Sequence, residues 1–247
     1  MIFGRRKRAA TETLDQLDEV LADEEGATVE AEGETPPSQA DDALARAEKQ
    51  ASEWDAAFGR DEGPFDVEEV DLEADADEVT RIDFGSLIVT PFEGMTMQLQ
   101  MNRQTEAVQA ILVGDGESAL ELSVFAGPAR TSLAPEVRSD IIAATARQKG
   151  RVQLAEGPFG AELRRMLPVT DAEGKQGMHV SRTWLVPGPG WLLRGVVMGR
   201  ATLETTNEDA QLKLTEFFSN VVVRRDGRPQ APGSLLPLVV PQKPTED

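Results

Sequence analysis

Three groups of side chains in this sequence are of types that could do chemistry near neutral pH. The first is His179 with Ser181 in MHVSRTW, whose spacing puts an imidazole and a hydroxyl on one side of any strand. Catalysis by such a pair needs a third group to orient the base, and no carboxylate is supplied locally. Arg194 falls on the same side across a predicted hairpin, so His179 and Arg194, beside the loop of the 170s, form a candidate small-ligand pocket. The second group is cationic. Arg147, Lys149 and Arg151 surround the end of a predicted helix, and Arg164 and Arg165 follow in GAELRRM. Together they are a candidate basic patch for nucleic acid or an acidic partner. The aromatic residues that single-strand binders interleave with arginine are missing there. The third group is Leu44, Trp54 and Phe58, spaced along one helical stripe as candidate anchors for an unknown protein partner.

Composition removes much else. There is no cysteine, no tyrosine and one histidine, which excludes disulfides, thiolate nucleophiles, sulfur-ligated zinc and poly-histidine metal sites. Asp171 and Glu173 in TDAEGKQG read as loop residues, and the acidic residues of the later sequence fall mostly at turns and helix surfaces. No catalytic, cofactor or metal role is assigned to any residue, and the reading leans away from an enzyme.

The glycine-rich stretch RTWLVPGPGWLLRGVVMGRA poses a sharper choice. A phosphate loop runs from strand through glycines to a helix N-terminus whose N–H groups face the anion. Here the glycines lead into WLLRGVVM, a strand, and Pro189 has no N–H to give. The stretch is a hairpin bend, with Val186 expected to face Trp191. One face would then carry Trp184 and Trp191 with Gly195 and Gly199, small residues that let a helix approach closely.

These groups must be held by elements whose outline is visible in the charge. Residues 1–80 hold 25 acidic and 7 basic residues, a balance of −18, while residues 81–247 hold 19 and 18. Acidic, aromatic-poor sequence cannot bury enough apolar area to offset chain entropy. The expected layout is an acidic, mostly disordered arm over 1–62, with helices near 13–22 and 40–58. An acidic linker over 63–80, an α+β domain over 81–241 and a disordered end at 242–247 follow. The stripe Leu44, Ala47, Ala51, Trp54, Phe58 either lies on the protein's own domain or in solvent, or folds into a partner's groove; the acidic flanks favour a basic one.

In the domain, strands come in runs and helices singly, the pattern of one largely antiparallel sheet with about two packed helices. VGDGES at 113–118 joins two strands, and LAPEVRSDIIAATARQKG is a helix with Val137, Ile141 and Ala144 inside and Gly150 as its stop. A second helix, TTNEDAQLKLTEFFSN, precedes the strand VVVRR. No apolar run is long enough to span a membrane, and MIFGRRKRAA lacks the apolar core of a secretory signal, so the expected compartment is the cytoplasm.

Several stretches also carry a resemblance. MIFGRRKR, GPFDVEEV, RIDFGSLIVTPFEGM, LELSVFAGPAR with EVRSDI, GPFGAELRRMLPV, GPGWLLRGVVMGRA, VVVRRDGRP and LLPLVVP occur in order. Over roughly residues 60–241 the chain resembles an actinobacterial family of uncharacterised proteins carrying a domain of unknown function, the 3710 family. The resemblance implies no activity, substrate or catalytic residue. The layout is also similar to small photosystem-associated and nuclear-import accessory α+β sandwiches, an analogy of fold alone. In GPFDVEEV the hydrophobic pattern itself suggests that Phe65 and Val67 pack against the sheet.

Overall fold

A computed structural model describes residues 39–74, 79–170, 173–203 and 208–241. The helix expected near 13–22, the basic residues at 5–8 and residues 242–247 lie outside the described residues. The main sheet has seven antiparallel strands, built from two meanders. The first comprises β4 (Thr96–Met101), β5 (Val108–Gly114) and β6 (Ser118–Ala126). The second comprises β7 (Arg151–Gly157), β8 (Gly160–Thr170), β9 (Gln176–Gly188) and β10 (Trp191–Gly199). They join where β10 pairs with β6, which puts β10 at the centre. That position explains its near-continuous apolar run: WLLRGVVM is buried along its whole length.

A smaller sheet holds β1 (Phe65–Asp66), β11 (Val222–Val223), β3 (Leu87–Val89) and β2 (Ile82–Asp83) in that order, with β1 and β11 parallel. Among the described residues three α-helices accompany the sheets: α1 (Gln39–Ala57), α2 (Ala134–Arg147) and α3 (Glu208–Ser219). This is the largely antiparallel α+β architecture that the sequence indicated.

The main sheet is packed on both faces. On one, Trp184, Trp191, Leu193 and Val197 meet Leu214, Phe217 and Phe218 of α3 and Leu87, Val89 and Val223 of the small sheet. Gly195 is what admits the helix: a Cβ there would lie 2.6 Å from Cε2 of Phe218. On the other face α2 seats Leu133, Ala134 and Ile141 on Leu163, Leu185 and Leu192.

Three local expectations are adjusted. The β9–β10 hairpin pairs Val186 with Leu193 and Trp191 with Gly188, a slip of two residues from the expected pairing. The turn is tighter than anticipated because Gly190 takes φ 73° and the Trp191 indole lies on Gly188. An even slip keeps every side chain on its expected face. The helix α2 ends through Lys149, whose φ is 58°, and Gly150 serves a different need: a Cβ there would sit 2.5 Å from Leu167 Cδ2.

Compact structure also begins before residue 81. Phe65 and Asp66 pair with Val222 and Val223, and Asp66, 6% exposed, accepts the Trp191 indole N–H at 2.7 Å. Arg60 forks onto Glu69 at 2.5 and 2.6 Å and lies 5.3 Å over the Trp191 ring. The bonds from Arg60 hold the Glu69 carboxyl below its ordinary range, helped by the Asp66 N–H.

Candidate functional site

The hydrophobic pattern of α2 hides its most buried polar residue. The inward stripe keeps the expected Ile141 and Ala144, with Val137 partly buried beside them, and widens to take in Ala134, Arg138 and Thr145. Arg138 is 0% exposed. Its guanidinium meets two carboxylates of α1, placed two turns apart on one face of that helix: Asp55, and Glu48 at 3.4 Å. The other oxygen of Asp55 accepts the Ala161 N–H at 2.8 Å, so this carboxylate bridges α2 and the start of β8. Close approach there depends on Gly160, where a Cβ would lie 3.1 Å from the Asp55 Cα.

Apolar contact adds less to this joint. Ala51 is fully buried, Trp54 is half-buried and Leu44 is 45% exposed. Phe58, just beyond α1, stacks edge-on against Phe159, with centroids 5.9 Å apart. Of the three candidate partner anchors, then, Phe58 sits against the protein's own core, Trp54 lies between core and solvent, and Leu44 faces water. The joint is largely ionic, and two polar atoms in it, Glu48 Oε1 and Arg138 Nε, are buried without a hydrogen-bond partner.

A second polar cluster lies on the α2 face of the main sheet. The alternation of β9 puts His179, Ser181, Thr183 and Leu185 on that face, and the register places Arg165 opposite Ser181 and Arg194 opposite Leu185. Arg194 donates from Nε to Ser123 Oγ at 3.0 Å, pairs with Glu121 at 3.5 Å and lies 5.3 Å over the Phe125 ring. Arg165 donates from Nε to Thr145 Oγ1 at 3.0 Å. Burial, and then the neighbouring Arg165 charge, pull the half-buried His179 below its ordinary pKa. His179 pairs with Leu167, and Met198 faces Ser181, a consequence of the hairpin slip.

The candidate basic patch divides. Arg147, Lys149 and Arg151 are exposed at the end of α2. Arg165 is buried on the sheet, and Arg164, on the opposite face, donates to Glu162 at 2.9 Å. Glu162 is itself 0% exposed and also takes Arg182 at 2.9 Å and the Trp184 indole N–H at 2.7 Å. The acidic residues expected mostly at turns and helix surfaces thus include two that organise the interior, Glu121 and Glu162, and Asp66 from the expected linker is a third. The sequence signal for two of them is position, since Glu121 and Glu162 fall within strand segments and not at turns.

Among the described residues no helix is long and apolar enough to cross a membrane. No curated protein matches the sequence. A family model described as Protein of unknown function (DUF3710) matches residues 63–247. The chain belongs to this family. The DUF3710 match starts at Gly63, the residue after the Arg60 turn, so it includes Asp66 with its Trp191 partner and leaves α1 outside.

Likeness to solved structures is distant. A crystal structure from Bacteroides thetaiotaomicron VPI-5482 is 9% identical with a TM-score of 0.36, covering 58% of this chain and 47% of that one. The DUF3710 chain therefore spans about half that protein's length. The solution structure of cyanobacterial PsbP (CyanoP) from Synechocystis sp. PCC 6803 is 10% identical, also with a TM-score of 0.36, covering 59% and 92%.

Proposed function

We propose that the protein is a non-enzymatic interaction module whose acidic arm alternates between its own domain and a protein partner. Docked, α1 is held by Arg138. Released, it presents Leu44, Trp54 and Phe58 as one amphipathic stripe, flanked by acidic residues that suit a basic groove. The supporting observation is the makeup of the joint: two carboxylates on one enclosed guanidinium, with Ala51 the one fully buried apolar residue among those of the helix that are described. An interface resting on ion pairs more than on apolar area opens at lower cost than a core and responds to salt and to competing charge. Five cations split between a surface and an interior give the nucleic-acid alternative less to work with.

The test uses the full chain. Glu48→Gln with Asp55→Asn should loosen α1 and increase in-cell crosslinking to specific partners, and adding Leu44→Ala and Trp54→Ala should remove that gain. An identical crosslinking profile in all three proteins would refute the reading.

A further inference from the structure

The second polar cluster contains a charge that nothing in the described protein answers. Arg165 is 6% exposed, yet among the described residues its guanidinium forms no ion pair. Its hydrogen-bond partner is the Thr145 hydroxyl, which donates its own proton to the Ile141 carbonyl at 2.6 Å and so is fixed as an acceptor. Burial, with the nearby Arg194 charge second, brings the Arg165 pKa down to about 10, which leaves it cationic at neutral pH. Enclosing an ion without a counter-charge costs several kcal/mol, and proteins ordinarily offset this with a carboxylate. Elsewhere in this molecule they do: Arg138 has Asp55, Arg182 has Glu162 and Arg194 has Glu121.

The surroundings of Arg165 are donors. Ser181, 2% exposed, faces it directly across β8 and β9. One step along β9 is Thr183, 1% exposed, whose hydroxyl has no hydrogen-bond partner. Thr183 stands between the rows of Arg165 and Arg194, and His179 occupies the next position on the far side of Ser181. Because its pKa is lowered, His179 is neutral at pH 7 and offers one N–H.

We infer that Arg165, Ser181 and Thr183, flanked by His179 and Arg194, bind a small oxyanion: inorganic phosphate or the phosphoryl end of a small phosphomonoester. A guanidinium fork matches two oxygens of such a group, and the Ser181 and Thr183 hydroxyls and the His179 ring, successive on one face of β9, offer further donors beside it. The anion supplies the charge that Arg165 lacks. This site is independent of the arm, since neither α1 nor its ion pairs contribute to it.

The experiment titrates the full chain with inorganic phosphate, methyl phosphate and acetate at ionic strength held constant with chloride. Calorimetry reports binding, and the Arg165 Nε–H resonance reports its location. We expect one saturable phosphate site, a shift of the Arg165 resonance in the same titration, and binding at least about tenfold weaker in Arg165→Gln. Ser181→Ala should weaken it by a smaller factor. Methyl phosphate binding as well as phosphate identifies a phosphoryl site open to esters, and phosphate binding alone identifies a site for the free ion. Absence of saturable binding by the unmodified protein, an unmoved Arg165 resonance at saturation, or acetate binding as tightly as phosphate would each overturn the inference. Should Arg165→Gln fail to fold, the resonance and the anion series still decide the matter.

Discussion

The two faces of the main sheet solve the same packing problem with different materials. Under α3 the contact is aromatic and close: Phe218 lies 4.7 Å from Phe159 and 5.2 Å from Trp184 by ring centroid, over the gap that Gly195 leaves. Under α2 an apolar patch of Leu163, Leu185 and Leu192 gives way within the same strands to Arg165, Ser181, Thr183 and Arg194. On the α3 face the enclosed charges, Glu162 and Asp66, are answered by Arg182, Arg164 and the two indole N–H groups, and the rest of the contact is shape. The α2 face encloses Arg165 without an ion pair among the described residues, and apolar packing of the same volume would often equal or exceed such burial in stability. Polar groups retained where hydrocarbon would serve point to a use beyond folding, and both the Arg138 joint and the cluster around Arg165 draw on the α2 side.

The contrast can be broken by substitution. Phe218→Ala should cost about 3–5 kcal/mol in equilibrium unfolding, because it removes an aromatic ring at 0% exposure from a helix that cannot settle onto a glycine without it. A cost below about 1 kcal/mol would mean that α3 is loosely held and the faces are alike.

Arg138→Met should cost less, about 2 kcal/mol, since Glu48 and Asp55 keep roughly a quarter of their side-chain exposure and can turn to water when α1 lifts. Its signature is local: amide exchange in α1 should accelerate while exchange in β6 and β10 stays slow. Uniform acceleration would show that the arm helix is part of the core.

His179 provides a pH-dependent test. Its native pKa lies below the ordinary 6.5, so the unfolded chain takes up a proton first as pH falls. Stability contributed by the neutral ring is present above pH 6.5 and is lost as pH falls from there toward the native pKa. Melting temperature should therefore drop more steeply through that window in the unmodified protein than in His179→Gln; parallel curves would count against the burial of the ring. The smallest effect belongs to Arg165→Met, expected to be neutral or stabilising by up to about 1 kcal/mol in phosphate-free buffer. A large loss there would mean that an internal counter-charge exists after all.

Much of the fold was legible because alternation and turn chemistry are local. Asp115 accepts from the backbone N–H groups of Glu117 and Ser118 and Gly116 takes φ 94°, as a tight Asp-Gly turn requires. Faces of β9 and β10 followed from period two, whereas the register depended on how far Trp191 folds over Gly188, which no pattern of side chains encodes. The interior charges were hidden for a related reason. Arg138, Arg165 and Glu162 belong to residue types that are almost always solvated, and the groups that justify their burial come from other elements. Asp66 was harder still, since its partner Trp191 is 125 residues away. Sequence reading put His179 and Arg194 on one side of a hairpin, whereas the register sets Arg194 opposite Leu185, three same-face positions along β9 from His179, with Ser181 and Thr183 between.

The bond between Asp66 and Trp191 carries a consequence for how the protein is made. During synthesis the acidic side chain leaves the ribosome long before the indole that it accepts from, and β1 must wait longer again for β11. Until then the Arg60–Glu69 turn has no ring to lie on, and the apolar undersides of both meanders stay uncovered. Closure of this domain therefore waits on sequence-distant contacts of the kind that slow folding.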